Sequence, residues 1–158
     1  MASRTENDPP VKDELSAFRL FNEIGIIAQL AATKFESVMP DGMTLAQFSI
    51  LNHFVRLGGE RSPKDLARAF QVTKGTMTST LQRLEARGCI TIRPDPDDGR
   101  AKLVSITPKG RQMREAAIEA LRPFLATLSG HEIAGSFPLL LELLSSLRRY
   151  LDNERAAE

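Results

Sequence analysis

The sequence predicts a mainly α-helical fold with one small β-hairpin, which belongs to the α+β class. Apolar residues recur every three or four positions along most of the 158 residues, as they do in amphipathic helices. One short stretch differs, because two runs with strand character flank a turn rich in proline and aspartate. Capping residues and prolines divide the helical part into several elements.

Composition limits the class of protein. With 42% hydrophobic and 26% charged residues, the chain is typical of a globular protein. Its single cysteine, Cys89, excludes an internal disulfide and a cysteine-based metal site. The first residues, MASRTENDPP, have no apolar signal core, and no apolar run approaches the roughly 20 residues that span a bilayer. We therefore expect a cytoplasmic protein with no membrane partner, metal or cofactor.

The net charge of +1 conceals an uneven distribution along the chain. Residues 62–109 contain nine lysines and arginines against five acidic residues, so the remaining segments together are acidic. A basic central segment would suit a surface that faces phosphates. Random variation in surface charge explains an asymmetry of this size almost as well, so alone it is weak evidence.

The N-terminal helical pattern is long and wide. From Glu14 to Val38, apolar residues follow helical spacing with no proline inside, and further apolar residues widen the stripe beyond one face. A helix with two apolar faces is expected to contact two surfaces, one of which can belong to a second subunit. A second helix is predicted from the capping residue Thr44 to Gly58-Gly59.

Two short helices joined by a tight turn follow. Ser62 and Pro63 supply a cap and a first-turn proline for one helix. After Gln71-Val72, Thr73 caps the next helix, which is expected to end near Gly88. Such a pair is a helix-turn-helix, whose second helix enters the major groove in DNA-binding proteins that use it.

A β-hairpin is predicted next, with strands over Cys89–Ile92 and Lys102–Ile106. It forms the wing of a winged helix-turn-helix. Thr107-Pro108 then begins another helix, and a dense leucine stripe over Phe137–Leu151 predicts the last one. The fold is thus a winged helix-turn-helix with long N- and C-terminal helices.

The second helix of the motif carries the residues that DNA recognition needs. Opposite its apolar stripe it has hydroxyl, amide and cationic side chains for base edges and phosphates, and Gly75 permits close backbone approach. An ordinary solvated face is the alternative for this helix seen in isolation. The residues are Thr73, Lys74, Thr76, Ser79, Thr80, Gln82 and Arg83.

The hairpin is expected to add a minor-groove contact. Arg100 lies at its tip, where an arginine on a narrow ribbon can enter the minor groove, and Arg93 and Lys102 lie on its strands. A simple solvated turn is the alternative for Arg100. Three aspartates are expected to accept hydrogen bonds that fix the turn and the Arg100 side chain. They are Asp95, Asp97 and Asp98.

Two segments carry a resemblance to a known family. SPKDLARAFQVTKGTMTSTLQRLEARGCI and RPDPDDGRAKLVSITPKG resemble the helix-turn-helix and wing of the MarR (multiple antibiotic resistance regulator) family of bacterial transcription factors. The resemblance extends from Leu15 to Leu151. It implies a homodimer that binds double-stranded DNA at a pseudo-palindromic operator, by default as a repressor, in the bacterial cytoplasm at the nucleoid. It also implies release by a small aromatic or anionic effector.

The resemblance extends the predicted DNA-binding set. It implies that the helix from Thr73 to Arg83 reads bases and phosphates, that Asp98 and Arg100 form the wing tip, and that Ser62 contacts the DNA backbone. The full predicted set is Ser62, Thr73, Lys74, Gly75, Thr76, Thr78, Ser79, Gln82, Arg83, Arg93, Asp98, Arg100 and Lys102.

The remaining predicted sites concern the dimer and the effector. In the family the first and last helices of two subunits intertwine, so apolar residues of those helices are expected at the interface. Asn22 and His53 are candidate effector contacts, although a lone histidine is more often structural. Cys89 is expected to be a buried, unreactive thiol rather than an oxidant sensor. The predicted interface residues are Leu15, Phe18, Leu140, Leu143, Leu144, Leu147 and Leu151.

Two prolines depart from the helical pattern of the family. Pro123 is expected to kink the helix that contains it, because proline inside a helix costs about 3 kcal/mol or more. Pro138 is expected to lie in the first turn of the last helix, after a cap at Ser136. The angle between the subunits of the dimer therefore depends on these positions.

The predicted organisation has four parts. They are a disordered tail at 1–12, a helical dimerisation region at 13–40 and 108–152, the DNA-binding winged helix-turn-helix at 44–107 and a flexible tail at 153–158. No nucleophile with its base, pair of acids in a cleft or phosphate loop indicates an enzyme. The alternative function is a winged helix that contacts protein and has no specific DNA binding.

Overall fold

The computed structural model describes residues 11–157 and confirms the mainly α-helical fold with one hairpin. Its elements are named here in chain order. They are α1 (Val11–Val38), a 3₁₀ turn (Pro40–Gly42), α2 (Leu45–Leu57), α3 (Pro63–Ala69), α4 (Lys74–Ala86), β1 (Ile90–Pro94), β2 (Lys102–Ile106), α5 (Pro108–Ser129), a second 3₁₀ turn (Glu132–Ser136) and α6 (Phe137–Ala157).

The chain divides into two compact units, residues 1–120 and 121–158. The predicted tails differ from what is seen at both ends. Helix α1 begins at Val11, inside the segment predicted as a tail, and residues 1–10 lie outside the described part. Helix α6 continues to Ala157, through most of the segment 153–158 that was predicted as a tail, and the flexibility of that segment stays a prediction. The segment NERAA continues the helix because most of its residues have high helix propensity.

Helix α2 begins and ends at the predicted residues. Thr44 and Gln47 form a reciprocal capping box, in which each side chain accepts a hydrogen bond from the other's backbone N–H. At the other end the backbone N–H of Gly58 donates to the carbonyl of Phe54, and Gly58 has φ +63°, a conformation that favours glycine.

The two helices of the helix-turn-helix also begin at their predicted caps. Ser62 Oγ accepts a hydrogen bond from the backbone N–H of Asp65 at 3.1 Å. Thr73 Oγ1 accepts one from the backbone N–H of Thr76, also at 3.1 Å. Each contact satisfies a backbone donor that the helix itself leaves unpaired.

The hairpin has a third partner that the sequence pattern did not indicate. Strands β1 and β2 are antiparallel, and in their register Arg93 lies opposite Leu103. On the edge of β2 away from β1, Arg61 forms an isolated bridge with Val104 through backbone hydrogen bonds of 3.1 and 2.9 Å. The segment just before α3 is therefore attached to the hairpin.

The core of the first unit fixes which face of α4 is exposed. Apolar side chains of α2, α3, α4 and both strands are almost fully buried, including the inward stripe predicted for α4. Burial of that stripe leaves the opposite, polar face of α4 in solvent. The buried residues are Ile50, Leu51, Phe54, Leu66, Met77, Leu81, Leu84, Ile90 and Val104.

The second unit leaves many apolar side chains exposed. Helix α5 continues past Pro123 to Ser129, and a kink at Pro123 stays a prediction. Pro138 is the second residue of α6, the first-turn position that was expected. Exposed leucines of α6 include Leu139, Leu140, Leu141, Leu143, Leu144 and Leu151. Within residues 11–157, none of the helices combines the length and hydropathy needed to cross a membrane.

Candidate nucleic-acid interface

A groove of about 870 Å³ separates α4 from the hairpin and gathers most of the predicted DNA-binding residues. Its lining comes from the start of α3, the exposed side of α4 and both sides of the hairpin. The fold thus brings together side chains that are far apart in the sequence. Eight of the predicted residues line it: Ser62, Lys74, Thr78, Gln82, Arg93, Asp98, Arg100 and Lys102.

The other predicted residues lie on α4 or at its N-cap, outside this groove. All of them are exposed, so the structure leaves them accessible to a nucleic acid. They are Thr73, Gly75, Thr76, Ser79 and Arg83.

The hydroxyl groups on α4 are oriented by their own helix. Thr78 Oγ1 donates to the carbonyl oxygen of Lys74 at 2.8 Å, and Thr80 Oγ1 donates to that of Thr76 at 2.9 Å. A hydroxyl has one donor and two acceptor lone pairs, so these side chains present acceptors outward. In the major groove, the amino groups of adenine and cytosine are the matching donors.

Gly75 is not required by packing. It is the second residue of α4, and a Cβ added there would have Thr73 Oγ1 as its nearest neighbour, at 3.9 Å. Space for a methyl group on the exposed side of the helix is compatible with an external contact there, and contact of DNA with Gly75 stays a prediction. Close approach of a DNA backbone to the helix is such a contact.

The turn of the hairpin is held by aspartates, as expected, but through backbone contacts. Asp95 Oδ1 accepts from the N–H of Asp97, and Asp98 Oδ1 accepts from the N–H of Arg100, each at 3.0 Å. The expectation that these carboxylates fix the Arg100 side chain is wrong: among the described residues, none accepts a hydrogen bond from its guanidinium. The Asx turns orient the backbone instead, and Arg100 is exposed.

Arg93 lines the groove but is engaged within the protein. Its guanidinium forms a two-point ion pair with the Glu60 carboxylate, through Nε to Oε1 and Nη2 to Oε2. The hydrogen bond to Glu60 raises the pKa of Arg93. The sequence does not indicate this ion pair, because Glu60 is 33 positions away from Arg93 along the chain.

Two charged residues that line the groove were not predicted. Lys64 lies in the first turn of α3, two residues after the cap Ser62, and adds a cation to the lining. Because Ser62 is a predicted contact to the DNA backbone, the nearby position of Lys64 in the sequence could have indicated that it lies on the same surface. Glu85, three residues after Gln82 on α4, adds a negative charge to the same groove. Helical spacing from Gln82 could have indicated that position.

The two candidate effector residues have different environments. Asn22 is exposed on α1. The half-buried His53 ring packs against Phe54 and Phe70, with centroid distances of 6.0 and 5.4 Å. Burial, followed by the nearby charges of Arg61 and Arg56, lowers the pKa of His53. These contacts are those of a structural histidine, and effector binding at either residue stays a prediction.

Cys89 is buried, as expected, and burial raises the pKa of its thiol. A high pKa disfavours the reactive thiolate, which agrees with an unreactive cysteine. Within the described part of the chain, no group of three or more His, Cys, Asp or Glu residues could hold a metal ion.

Comparison with known proteins agrees with this geometry. Residues 41–101 match the model of the MarR family. The transcriptional activatory protein BadR of Rhodopseudomonas palustris is 27% identical over 98% of this chain and 91% of its own. The multiple antibiotic resistance protein MarR of Salmonella typhimurium is 33% identical over 61% of this chain and 72% of its own.

A solved structure has the same fold over nearly all of its length. The crystal structure of the transcriptional regulator BldR from Sulfolobus solfataricus has a TM-score of 0.73 and 30% identity, and covers 92% of this chain and 99% of that one. The likeness includes the helix-turn-helix, the wing and the flanking helices, since so little of either chain is left out. The chain belongs to the MarR family of winged helix-turn-helix, DNA-binding transcription regulators.

Proposed function

We propose that a homodimer of this chain binds a pseudo-palindromic operator in double-stranded DNA and represses transcription until a small aromatic or anionic effector releases it. The observation that carries the proposal is the groove between α4 and the hairpin. There, eight residues of the predicted DNA-binding set lie on one surface. A helix with a polar exposed face beside a cationic ribbon fits the major groove and its adjacent minor groove.

The groove residues divide by chemistry into two roles. Lys64, Lys74 and Lys102 are cations that neutralise phosphates and supply affinity without sequence preference. Gln82 lies on the exposed face of α4, where its amide can pair with both exposed atoms of an adenine edge. Arg100 lines the groove, has no carboxylate partner among the described residues and can enter the minor groove.

Exposed apolar side chains support the homodimer. On α1, Leu15 and Phe18 are 50% and 68% exposed, and within the second unit the leucines of α6 are similarly open. Leu147 is the half-buried member of the predicted set. Monomeric proteins rarely expose so many large apolar residues, and a two-fold axis would cover them. Two α4 helices would then lie about 34–36 Å apart, one turn of DNA.

Activation is the second candidate for the direction of regulation. It is favoured by the relative named a transcriptional activatory protein, which is similar over 98% of this chain. An effector that changes the separation of the two α4 helices would alter DNA binding in either case. We further infer that the protein is not an enzyme and acts at the bacterial nucleoid in the cytoplasm, in keeping with a family of transcription regulators.

Fluorescence anisotropy tests the proposal directly. The purified protein is titrated with the duplex from upstream of its own gene and with a scrambled duplex, over a range of salt concentrations. We expect tighter, salt-sensitive binding to the upstream duplex. Equal weak binding to both would mean that the operator lies elsewhere in the genome. No binding even at low salt would contradict the proposal and favour a winged helix that contacts protein.

Sedimentation equilibrium tests the assembly, and transcription in vitro tests its direction. A mass twice that of the 17.5 kDa chain is expected. Transcription from the upstream promoter should fall when the protein is added, whereas an increase would favour activation. Candidate aromatic carboxylates are then screened for release of the bound duplex.

A further inference from the structure

We propose that Glu60 is a positioning residue for DNA binding, because its ion pair with Arg93 holds the hairpin at the separation from α3 and α4 that a duplex requires. This inference rests on the proposed function. Glu60 lies outside the predicted DNA-binding set, and Arg93 was predicted to contact DNA. The structure points to a different role for both residues.

The Arg93 guanidinium has an acceptor for each of its nitrogens. Nε donates to Glu60 Oε1 at 3.1 Å and Nη2 donates to Glu60 Oε2. Nη1 donates to the carbonyl oxygen of Pro94 at 3.4 Å. A two-point pair fixes the orientation of an arginine as well as its distance. Arg93 is therefore committed to the protein and is poorly placed to receive a phosphate.

The ion pair crosses strand β2. Glu60 precedes Arg61, whose backbone is bonded to Val104 on the edge of β2 away from β1. Arg93 belongs to β1, on the opposite edge. The two side chains therefore meet over β2 and connect β1 to the segment that leads into α3.

This connection bears on the groove. Ser62, two residues after Glu60, lines one side of the groove, and Arg100 and Lys102 of the hairpin line the other. A two-stranded hairpin is marginally stable alone, so contacts with the rest of the fold set its position. Without the Glu60–Arg93 pair, the hairpin should move relative to α4, and its cations would meet the duplex less often in the right place.

A double-mutant cycle tests this role. The probe is a duplex recovered from a random-sequence pool by selection on the unmodified protein. Glu60→Ala and Arg93→Ala should each weaken binding by about threefold to tenfold, and the double variant should lose no more than either one. In all three variants the slope of log affinity against log salt should be the same.

A direct phosphate contact by Arg93 predicts another pattern. Glu60→Ala would bind as tightly as the parent, and Arg93→Ala alone would lower the slope by about 0.9. That pattern would overturn the proposal.

Amide hydrogen exchange of the hairpin gives a readout without DNA. The N–H groups of Asp95 and Ala101 close the turn, through bonds to the carbonyls of Ala101 and Asp98. Their exchange should be faster in Glu60→Ala, and an unchanged rate contradicts the proposal. The control is Glu115→Ala, which removes the 2.6 Å ion pair with Arg114 on α5 and should alter neither hairpin exchange nor DNA affinity.

The two hypotheses fail in different ways. If the unmodified protein selects no duplex, the proposed function fails before any variant is made, and this inference fails with it. If the unmodified protein selects a duplex but Glu60→Ala binds it equally well, only the positioning role is wrong.

Discussion

The hydroxyl group of Thr107 donates a hydrogen bond of 2.7 Å to the carbonyl oxygen of Gly88. The same hydroxyl oxygen accepts from the backbone N–H of Gly110 at 3.0 Å and so caps α5. The backbone N–H of Thr107 donates to the carbonyl of Cys89, also at 3.0 Å. A single residue thus joins the end of α4, the base of the hairpin and the start of α5.

Thr107→Val should destabilise the fold. It keeps the branched shape but removes both side-chain hydrogen bonds, so we expect the free energy of unfolding to fall by about 1–3 kcal/mol. Urea denaturation followed by circular dichroism at one fixed protein concentration measures the change. The control, Thr33→Val, removes only an exposed bond to the Gln29 carbonyl in α1. An equal loss of unfolding free energy in the two variants would show that the Thr107 hydrogen bonds stabilise the fold no more than an exposed hydrogen bond within a helix does.

Gly75→Ala should separate DNA affinity from stability. No neighbour obstructs the added methyl group, and alanine favours a helix by up to about 1 kcal/mol over glycine, so the melting temperature should stay the same or rise. DNA affinity should fall by about tenfold if a phosphate approaches this backbone, a loss of about 1.4 kcal/mol.

The contrasting variant is Gly110→Ala, where the new Cβ would lie 2.0 Å from the carbonyl oxygen of Cys89. That clash should lower the melting temperature markedly. Unchanged DNA affinity in Gly75→Ala would remove Gly75 from the interface.

Arg100→Ala should weaken binding to operator and scrambled duplexes alike. An arginine in the minor groove brings one positive charge to the duplex, and loss of one such charge lowers the slope of log affinity against log salt by about 0.9. The control is Arg68→Ala, which removes an exposed cation of α3 that does not line the groove. A slope change of the same size in Arg68→Ala would indicate a general charge effect rather than a contact at the hairpin tip.

Gln82→Ala should change sequence preference more than affinity for random DNA. Removing a two-point base contact costs about 1–3 kcal/mol at the recognised base pair and leaves the phosphate contacts in place. Selection from a random pool, repeated with the variant, should lose one position of the consensus while the salt slope stays constant. Gln112→Ala, at an exposed site on α5, is the matched control and should recover the parent consensus.

The lowered pKa of His53 makes stability depend on pH. In the unfolded chain His53 has its ordinary pKa of 6.5, so it binds a proton at a higher pH than it does in the folded chain. Acid therefore favours unfolding. The free energy of unfolding should therefore fall as the pH decreases through 6.5 toward the lower folded pKa, and should not respond to this residue at higher pH. Urea titrations at several pH values should show a shallower decrease for His53→Gln than for the parent. An identical decrease in the two proteins would contradict a contribution of the neutral His53 ring to the stability of the fold.

Local signals in the sequence sufficed for most of the fold. Ser62 and Thr73 each contact a backbone N–H only three residues ahead, so the residue types of one short segment predict where a helix begins. The aspartates of the turn act over two residues in the same way. The polar face of α4 followed from helical periodicity, which also determines which side the core buries.

Contacts between distant segments of the chain were decided by the tertiary structure alone. Glu60 meets Arg93 across 33 positions, and Thr107 meets Gly88 across 19. Neither pairing follows from spacing, because each depends on how the hairpin packs against α3, α4 and α5. The sequence by itself therefore determined the family, the residues at which helices begin and the chemistry of the surface that we propose to face DNA. Only the packed fold decided which cations of that surface are available and which, like Arg93, are already paired, since ion pairing depends on distance in space.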